Sequence, residues 1–268
     1  MGKVKKDSLG DRMKKYESVS KNTLVSRMPV ILRLDGCHFH TFTRGFQKPF
    51  DYVLMKTMQM TMQYLCKNIQ GCVFGYTQSD EITLILVDYK NINTSSWFDN
   101  EVQKMCSVAA SMCTMAFNRY FAYNVETGGI SCDSEIWKTY TRATTNGAYF
   151  DCRAFNVPKE DVCNCILWRQ QDATRNSIQA LAQANFSHKE LQNLNCNQLQ
   201  EKLFSEKGIN WNGLEVVKKR GTACIKKNVT LTNHKGEEVE RSEWELDENM
   251  PILTQDRNYI EKLIFLDD

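Results

Sequence analysis

No stretch of this sequence holds the roughly 18–20 consecutive apolar residues that a membrane-spanning helix requires, so no membrane role is expected. It also has no Cys-x-x-Cys pair: the eleven cysteines are unevenly scattered, and the closest two, Cys163 and Cys165, flank a single Asn. That argues against a zinc knuckle and against the disulfide framework of a secreted domain, and implies reduced thiols in the cytoplasm. The N-terminal segment MGKVKKDSLGDRMKKYE lacks the apolar centre of a secretory signal. Prolines number only four, and no repeat or low-complexity linker interrupts the chain, so one compact unit is the simplest organisation. What is present is enough for a sizeable core: 268 residues, 42% of them hydrophobic, with a net charge of only +2.

The small net charge hides an uneven distribution. Residues 1–50 carry eleven Lys/Arg against four Asp/Glu, whereas residues 237–268 carry three against eleven. The basic front and a second cluster, Lys218, Lys219 and Arg220 with Lys226 and Lys227, suit a phosphate-rich partner such as RNA. Solvated surface charge is the plainer reading of either cluster.

Residues 8–22 read as a charged helix and PVILRL (29–34) as a strand. Asp51 is placed to cap a helix whose Leu54, Met58, Met62, Leu65 and Ile69 recur at spacings of three and four. CVFGYTQSDEITLILV (72–87) reads as a hairpin turning at Gln78-Ser79-Asp80-Glu81, and Asp99 as the cap of a helix to about residue 121. AYFDCRAFNVP (148–158) is a strand with an exposed edge, followed by a helix over 160–185; the capping box Ser187-x-x-Glu190 then opens a helical region to about 206. TACIKKNVTL and EVERSEWEL flank turn residues 233–236. The expected class is α+β: a polymerase-palm or ferredoxin-like βαββαβ core over residues 1–158, with additional helices and a C-terminal β-hairpin packed on it over residues 159–268.

Within that core the acids are not random. Asp35 ends the first strand in RLDGCHFHTF (33–42), where a charge is costly unless it is paired or has a task; an ordinary Asp-Gly turn is the bland alternative. Strands one and three are neighbours in such a sheet, which brings Asp35 towards Asp80 and Glu81. Convergent carboxylates with a backbone carbonyl suit hard divalent cations, and two such ions can activate an attacking oxygen and neutralise a triphosphate leaving group. Acids in hairpin turns are commonplace, so the pattern alone leaves both readings open. His40, Arg44 and Lys48 follow Asp35 closely and Lys104 lies near the start of the long helix, supplying donors that phosphate oxygens need.

RLDGCHFHTF, GFQKPFD (45–51), YTQSDEITL (76–84), FDCRAFNVP (150–158) and LWRQQDATRNSI (167–178) together resemble the 3′–5′ RNA polymerases related to tRNA-histidine guanylyltransferase, in order and spacing, across roughly residues 10–225. The resemblance implies a polymerase-like palm that adds nucleotides to the 5′ end of tRNA, the incoming nucleotide's 3′-hydroxyl attacking an activated 5′-phosphate. It implies Asp35 and Asp80 as carboxylate ligands of two Mg²⁺ ions, the Gly36 carbonyl as a further ligand, and Glu81 as their acidic neighbour. His40, Lys48, Ser79, Lys104 and Asn176 would bind the nucleoside triphosphates, ATP or GTP, and Arg153 would lie on the tRNA side. The resemblance also implies a homotetramer.

Three positions depart from the family pattern. The guanylyltransferases proper carry His-Ile-Asn-Asn after Arg-Gln-x-Asp-x; here Thr174 stands in place of the histidine while Asn176 is kept. That resembles the guanylyltransferase-like branch, which favours template-dependent 5′-end repair, with guanosine addition to tRNA-histidine as the alternative. Cys37 stands where a basic residue is common, which removes one phosphate contact that the resemblance implies, and Cys152 stands where a small residue is usual; both are read as small packing residues rather than reactive thiols. Trp168, Trp211 and Trp244 are read as core aromatics rather than base-stacking platforms. Two other functions share the βαββαβ order. A nucleotide cyclase lacks support because no Gly-Gly-Asp-Glu-Phe turn is present, and a non-catalytic RNA-binding module because its strand aromatics are absent.

Overall fold

The computed structural model describes residues 8–232 and 238–265. Its first half runs α1 (Leu9–Val19), β1 (Val30–Gly36), α2 (Phe39–Phe42), α3 (Tyr52–Asn68), β2 (Cys72–Gln78), β3 (Glu81–Leu86), α4 (Val102–Thr127), α5 (Glu135–Asn146) and β4 (Phe150–Asn156). Then come α6 (Lys159–Asn185), α7 (His188–Leu191), α8 (Cys196–Lys207), α9 (Val216–Arg220), β5 (Thr222–Thr232), β6 (Glu238–Asp247) and α10 (Asn258–Ile264). The strands form one sheet in the order β4-β1-β3-β2-β5-β6, with each neighbouring pair antiparallel. The class is therefore α+β. The C-terminal hairpin joins the sheet through β5 on β2, and the expected turn at 233–236, with His234, lies outside the described residues.

Strand alternation sends side chains to two covered faces. Leu32, Leu34, Ile82 and Leu84 pack with Met58, Met62 and Leu65 of α3 and Met105 and Phe117 of α4. Ile31, Phe74 and Ile85 pack instead with Val162 and Ile166 of α6 and Ile260 and Ile264 of α10. The far half of α6 makes a satellite core with α8 through Ile178, Leu181, Leu199 and Leu203, closed by Trp211. Both faces being covered explains why β2 and β3 read as near-continuous apolar runs and are buried throughout.

β4 is an edge strand, and α4 lies along its open side. Asn118 accepts from the Ala148 N–H and donates to its carbonyl, both at 2.8 Å, and Thr114 Oγ1 accepts from the Phe150 N–H at 3.2 Å. Four helical residues rise about 6 Å and two strand residues about 6.8 Å, so a stripe at every fourth position tracks alternate strand amides. The Asn118 and Thr114 side chains occupy backbone groups at the start of an edge that could otherwise pair with another chain.

Asp51 caps α3 as expected, its carboxylate accepting from Leu54 N–H at 2.9 Å. Four expectations change. The long helix starts at Val102 rather than after Asp99, because Phe98, Asp99 and Asn100 all have positive φ, and it runs on to Thr127. Helix α5, capped by Ser134, occupies a stretch for which no element was expected. The Ser187–Glu190 capping box is present but opens only the four-residue α7; α8 has its own box, Asn195 with Gln198. Glu81 is not a turn residue but the buried first residue of β3.

Candidate active site

The catalytic candidates gather at one end of the sheet. In the β1–β3 register Asp35 stands opposite Glu81, and in the β1–β4 register opposite Asp151, so three carboxylates form one row across three strands. Asp80 occupies the two-residue turn between β2 and β3, and its carbonyl accepts from the Gly36 N–H at 3.1 Å, which locks the turn to the end of β1. Ser79, forced to φ +50° by that turn, donates to the Asp80 carboxylate at 3.0 Å. Gly36 permits the close packing beyond: a Cβ there would lie 2.1 Å from the Phe39 ring. That ring sits among Phe42, Phe117 and Phe150, which anchor the segment after Asp35 to the core.

Like charges in cross-strand register repel, and the protein relieves only part of that repulsion. Arg169 of α6 reaches Glu81 at 2.8 Å, with both side chains more than nine-tenths buried. It also touches Asp172 at 3.4 Å, and its guanidinium lies on the Trp168 ring, 3.7 Å from the centroid. Asp172 in turn binds Arg175 and accepts from the Asn176 amide at 3.3 Å. Asp35 and Asp80 have no ion pair with Lys or Arg among the described residues. Burial, and secondarily the Asp35 charge, push the Asp80 carboxyl above its ordinary range although Ser79 holds it down. Burial likewise raises Glu81, opposed by Arg169.

Beside this end opens a cavity of about 230 Å³, lined by Phe50 and Asp51 before α3, Ser79 of the turn, Asn176 of α6 and Lys218 and Lys219 of α9. Asp51 fixes its rim, accepting from Gln47 N–H at 2.9 Å and from the Tyr140 hydroxyl at 2.7 Å. The opposite rim depends on Gly221, whose φ is +79° and whose Cβ would lie 2.4 Å from the Thr77 carbonyl. Next to it the Tyr76 hydroxyl donates to the Arg220 carbonyl at 2.6 Å, so α9 is pinned to β2. Partial burial, then the Arg220 charge, lower the Lys219 ammonium. Thr174 turns its hydroxyl to the Lys219 carbonyl at 3.4 Å, into the α6–α9 seam.

The structure thus brings together Asp35, Gly36, Asp80 and Glu81, and sets Ser79, Asn176, Lys218 and Lys219 around one cavity. His40 is exposed on α2 and Lys48 on the loop before α3. Arg153 is exposed on β4, on the same face as Asp151 and opposite Arg33. Lys104 is not brought in: it rests over Phe98, 4.8 Å from the ring centroid. It lies ten residues, about 15 Å, up α4 from Thr114, which adjoins Phe150 opposite Gly36. Trp168 is 51% exposed rather than a core aromatic, whereas Trp211 and Trp244 are buried. Sequence reading missed the roles of Arg169, Asp172 and Asp151. The one signal was the acid and base spacing of Arg169, Asp172 and Arg175, which suits one helix face.

Carboxylates at one end of an antiparallel sheet beside a lysine-flanked cavity suit an enzyme of the nucleotidyltransferase class, and the family match establishes that class. Residues 10–158 match the family model described as tRNAHis guanylyltransferase, Thg1, and the chain belongs to that family. A solved bacterial tRNA(His) guanylyltransferase (Thg1)-like protein in complex with ATP is 42% identical, with a TM-score of 0.81 over 97% of this chain and 100% of that one. An uncharacterized protein, R259, of Acanthamoeba polyphaga mimivirus is 30% identical over 85% of this chain and 80% of its own length. A probable tRNA(His) guanylyltransferase of Dictyostelium discoideum is 26% identical over 82% and 85%.

Proposed function

We propose that this protein is a cytoplasmic, Mg²⁺-dependent nucleotidyltransferase that adds nucleotides in the 3′–5′ direction to the 5′ end of tRNA, directed by the opposing template strand. The observation that carries this reading is the convergence of Asp35 and Asp80, without a Lys or Arg ion pair among the described residues, next to the lysine-flanked cavity. The strand order β4-β1-β3-β2, with α3 and α4 packed on one face, supports a palm-like, ferredoxin-like core. No helix among the described residues is long and apolar enough to cross a membrane.

The donor set fits the ions. Two carboxylates and the Gly36 carbonyl are hard oxygen ligands; among the described residues no group of three His, Cys, Asp or Glu side chains is placed to hold a metal ion by itself. Mg²⁺ keeps waters and substrate oxygens in its shell, so an open donor set suits it. Two bound ions would supply charge neutralisation and activation of the attacking 3′-hydroxyl.

The chain's own residues do the rest. Arg169 holds Glu81, so the carboxylates left without a Lys or Arg ion pair among the described residues are Asp35, Asp80 and their neighbour Asp151, of which this reading gives Asp35 and Asp80 to the ions. Ser79 and Asn176 address the nucleotide from the cavity wall, and His40 and Lys48 reach triphosphate oxygens from the exposed loop. Lys218, Lys219, Arg220 and Arg153 offer charge to the RNA backbone, which positions the tRNA without reading its sequence. Lys104 cannot join the site of its own protomer; in a homotetramer it could serve another copy.

Thr174 favours the template-directed reading over guanosine addition to tRNA-histidine, since its hydroxyl is engaged with α9. The test is to supply Mg²⁺, all four nucleoside triphosphates and tRNA lacking its first nucleotide, with the templating base varied. Addition that tracks the template supports the proposal; guanosine addition whatever the template establishes the guanylyltransferase alternative.

A further inference from the structure

We propose that Trp168 is a substrate-binding residue, the platform on which the base at the 5′ end of the tRNA acceptor stem stacks. The inference deepens the function proposed above and rests on it. Of the five tryptophans, Trp97, Trp211 and Trp244 are buried and Trp137 is half-buried, whereas Trp168 is 51% exposed. A single exposed apolar side chain needs no partner in itself. What sets Trp168 apart is where α6 puts it and what stands beside it.

The next residue, Arg169, lays its guanidinium on the indole, 3.7 Å from the ring centroid, while its Nη1 donates to Glu81 at 2.8 Å. The ring is thereby tied to the carboxylate row. Arg33 of β1 comes no nearer than 5.6 Å to the centroid, outside stacking contact. Arg33 shares a face of β1 with Asp35, two residues or about 6.8 Å along the strand. Arg153 of β4 stands directly opposite Arg33. Like charges in that register repel, and neither arginine has an ion pair among the described residues. Asp172, one helical turn beyond Trp168, is already taken up by Arg169 and Arg175.

A half-exposed indole beside two unpaired arginines selects a nucleobase carried on a phosphate chain. Any base offers a flat face that stacks on an aromatic ring, and its phosphates answer the guanidinium groups. An apolar protein segment would leave both arginines unanswered. Position decides between the tRNA and the incoming nucleoside triphosphate. The cavity assigned to the nucleotide opens among α3, the β2–β3 turn and α9, and Trp168 does not line it. Arg33 and Arg153 lie on β1 and β4, away from β2 in the strand order β4-β1-β3-β2. The nucleotide and the RNA end would then meet at Asp35 and Asp80 from opposite sides.

The test measures binding of the whole protein to fluorescently labelled tRNA lacking its first nucleotide, by anisotropy in Mg²⁺ without nucleoside triphosphate. Trp168→Leu and Trp168→Gln remove the ring, and each should weaken tRNA binding at least about fivefold, the lower end for one stacked base. Trp168→Phe should recover most of the loss. On a second tRNA whose 5′-terminal nucleotide is abasic, the wild type and both non-aromatic variants should bind equally. The Kd for nucleoside triphosphate, by equilibrium dialysis, should be the same in every variant. Equal affinity of wild type and non-aromatic variants for intact tRNA would overturn the proposal. So would an equal loss on intact and abasic tRNA, which would trace the effect to a displaced Arg169. A wild type that binds no tRNA would overturn the underlying function as well, a result distinct from either. Unchanged circular dichroism melts verify the fold of each variant.

Discussion

Asp35 and Asp80 were legible as candidates in the sequence because each follows an apolar run, Asp35 among the last two residues of β1 and Asp80 in the β2–β3 turn, a local signal. Arg169 was not, since its partner Glu81 is 88 positions away and only the packing of α6 on the sheet joins them. Removing one member of a buried pair strands the other. Arg169→Ala should therefore destabilise the protein by about 3–5 kcal/mol in chemical unfolding and abolish nucleotide addition; a loss below about 1 kcal/mol would show that Glu81 finds another partner. Asp80 gives the opposite sign. Its raised folded value means that the folded chain binds the proton more tightly than the unfolded one. Without divalent cation, stability should then fall as pH rises from the ordinary carboxylate range through the folded value. Asp80→Asn should accordingly raise Tm in EDTA at pH 7, by about 2–4 °C for each ~1 kcal/mol relieved, while eliminating activity. A lower Tm for Asp80→Asn would refute that account of the site.

At the scale of elements, α3, β1, the β2–β3 hairpin and α6 obey their apolar spacing, and the sequence shows them. The elements it obscured are those set by backbone conformation or by partners. α4 begins late because three left-handed residues precede it, and α5 offers only Tyr140 and Ala143 as fully buried residues, too few for a clear period. The short α9 is invisible to periodicity, yet its place decides where two lysines of the cavity stand. Gly221 is the residue that permits it. Gly221→Ala meets both a positive φ and the Thr77 carbonyl, so it should displace α9, raising the KM for nucleoside triphosphate at least about tenfold (~1.4 kcal/mol) with a smaller loss of global stability. Equal KM values would show that the α9 wall of the cavity does not shape the nucleotide site.

Over the whole molecule, the α+β class and the pairing of strands one and three were readable in advance, but the junction of the two halves was not. The matched family region ends at residue 158, just before α6, which covers Ile31, Phe74 and Ile85, while β5 occupies the outer edge of β2. A chain ending at residue 158 would expose both that apolar face and an unpaired strand edge. We expect it to be insoluble or to lack a cooperative thermal transition, whereas a soluble, cooperatively folded 1–158 would make the core independent of α6 and the C-terminal hairpin.

The carboxylate row also makes the sheet unequal along its strands. At one end Val30 faces Leu86 and Asn156; at the other Asp35 faces Glu81 and Asp151. Local opening should be graded in the same direction. In EDTA, amide hydrogen exchange at Asp35 and Gly36 should outpace that at Ile31 and Leu32, and Mg²⁺ with nucleoside triphosphate should level the two ends. The working end of the sheet is then fastened by its own reactants, and an enzyme between turnovers is a partly unbuttoned one.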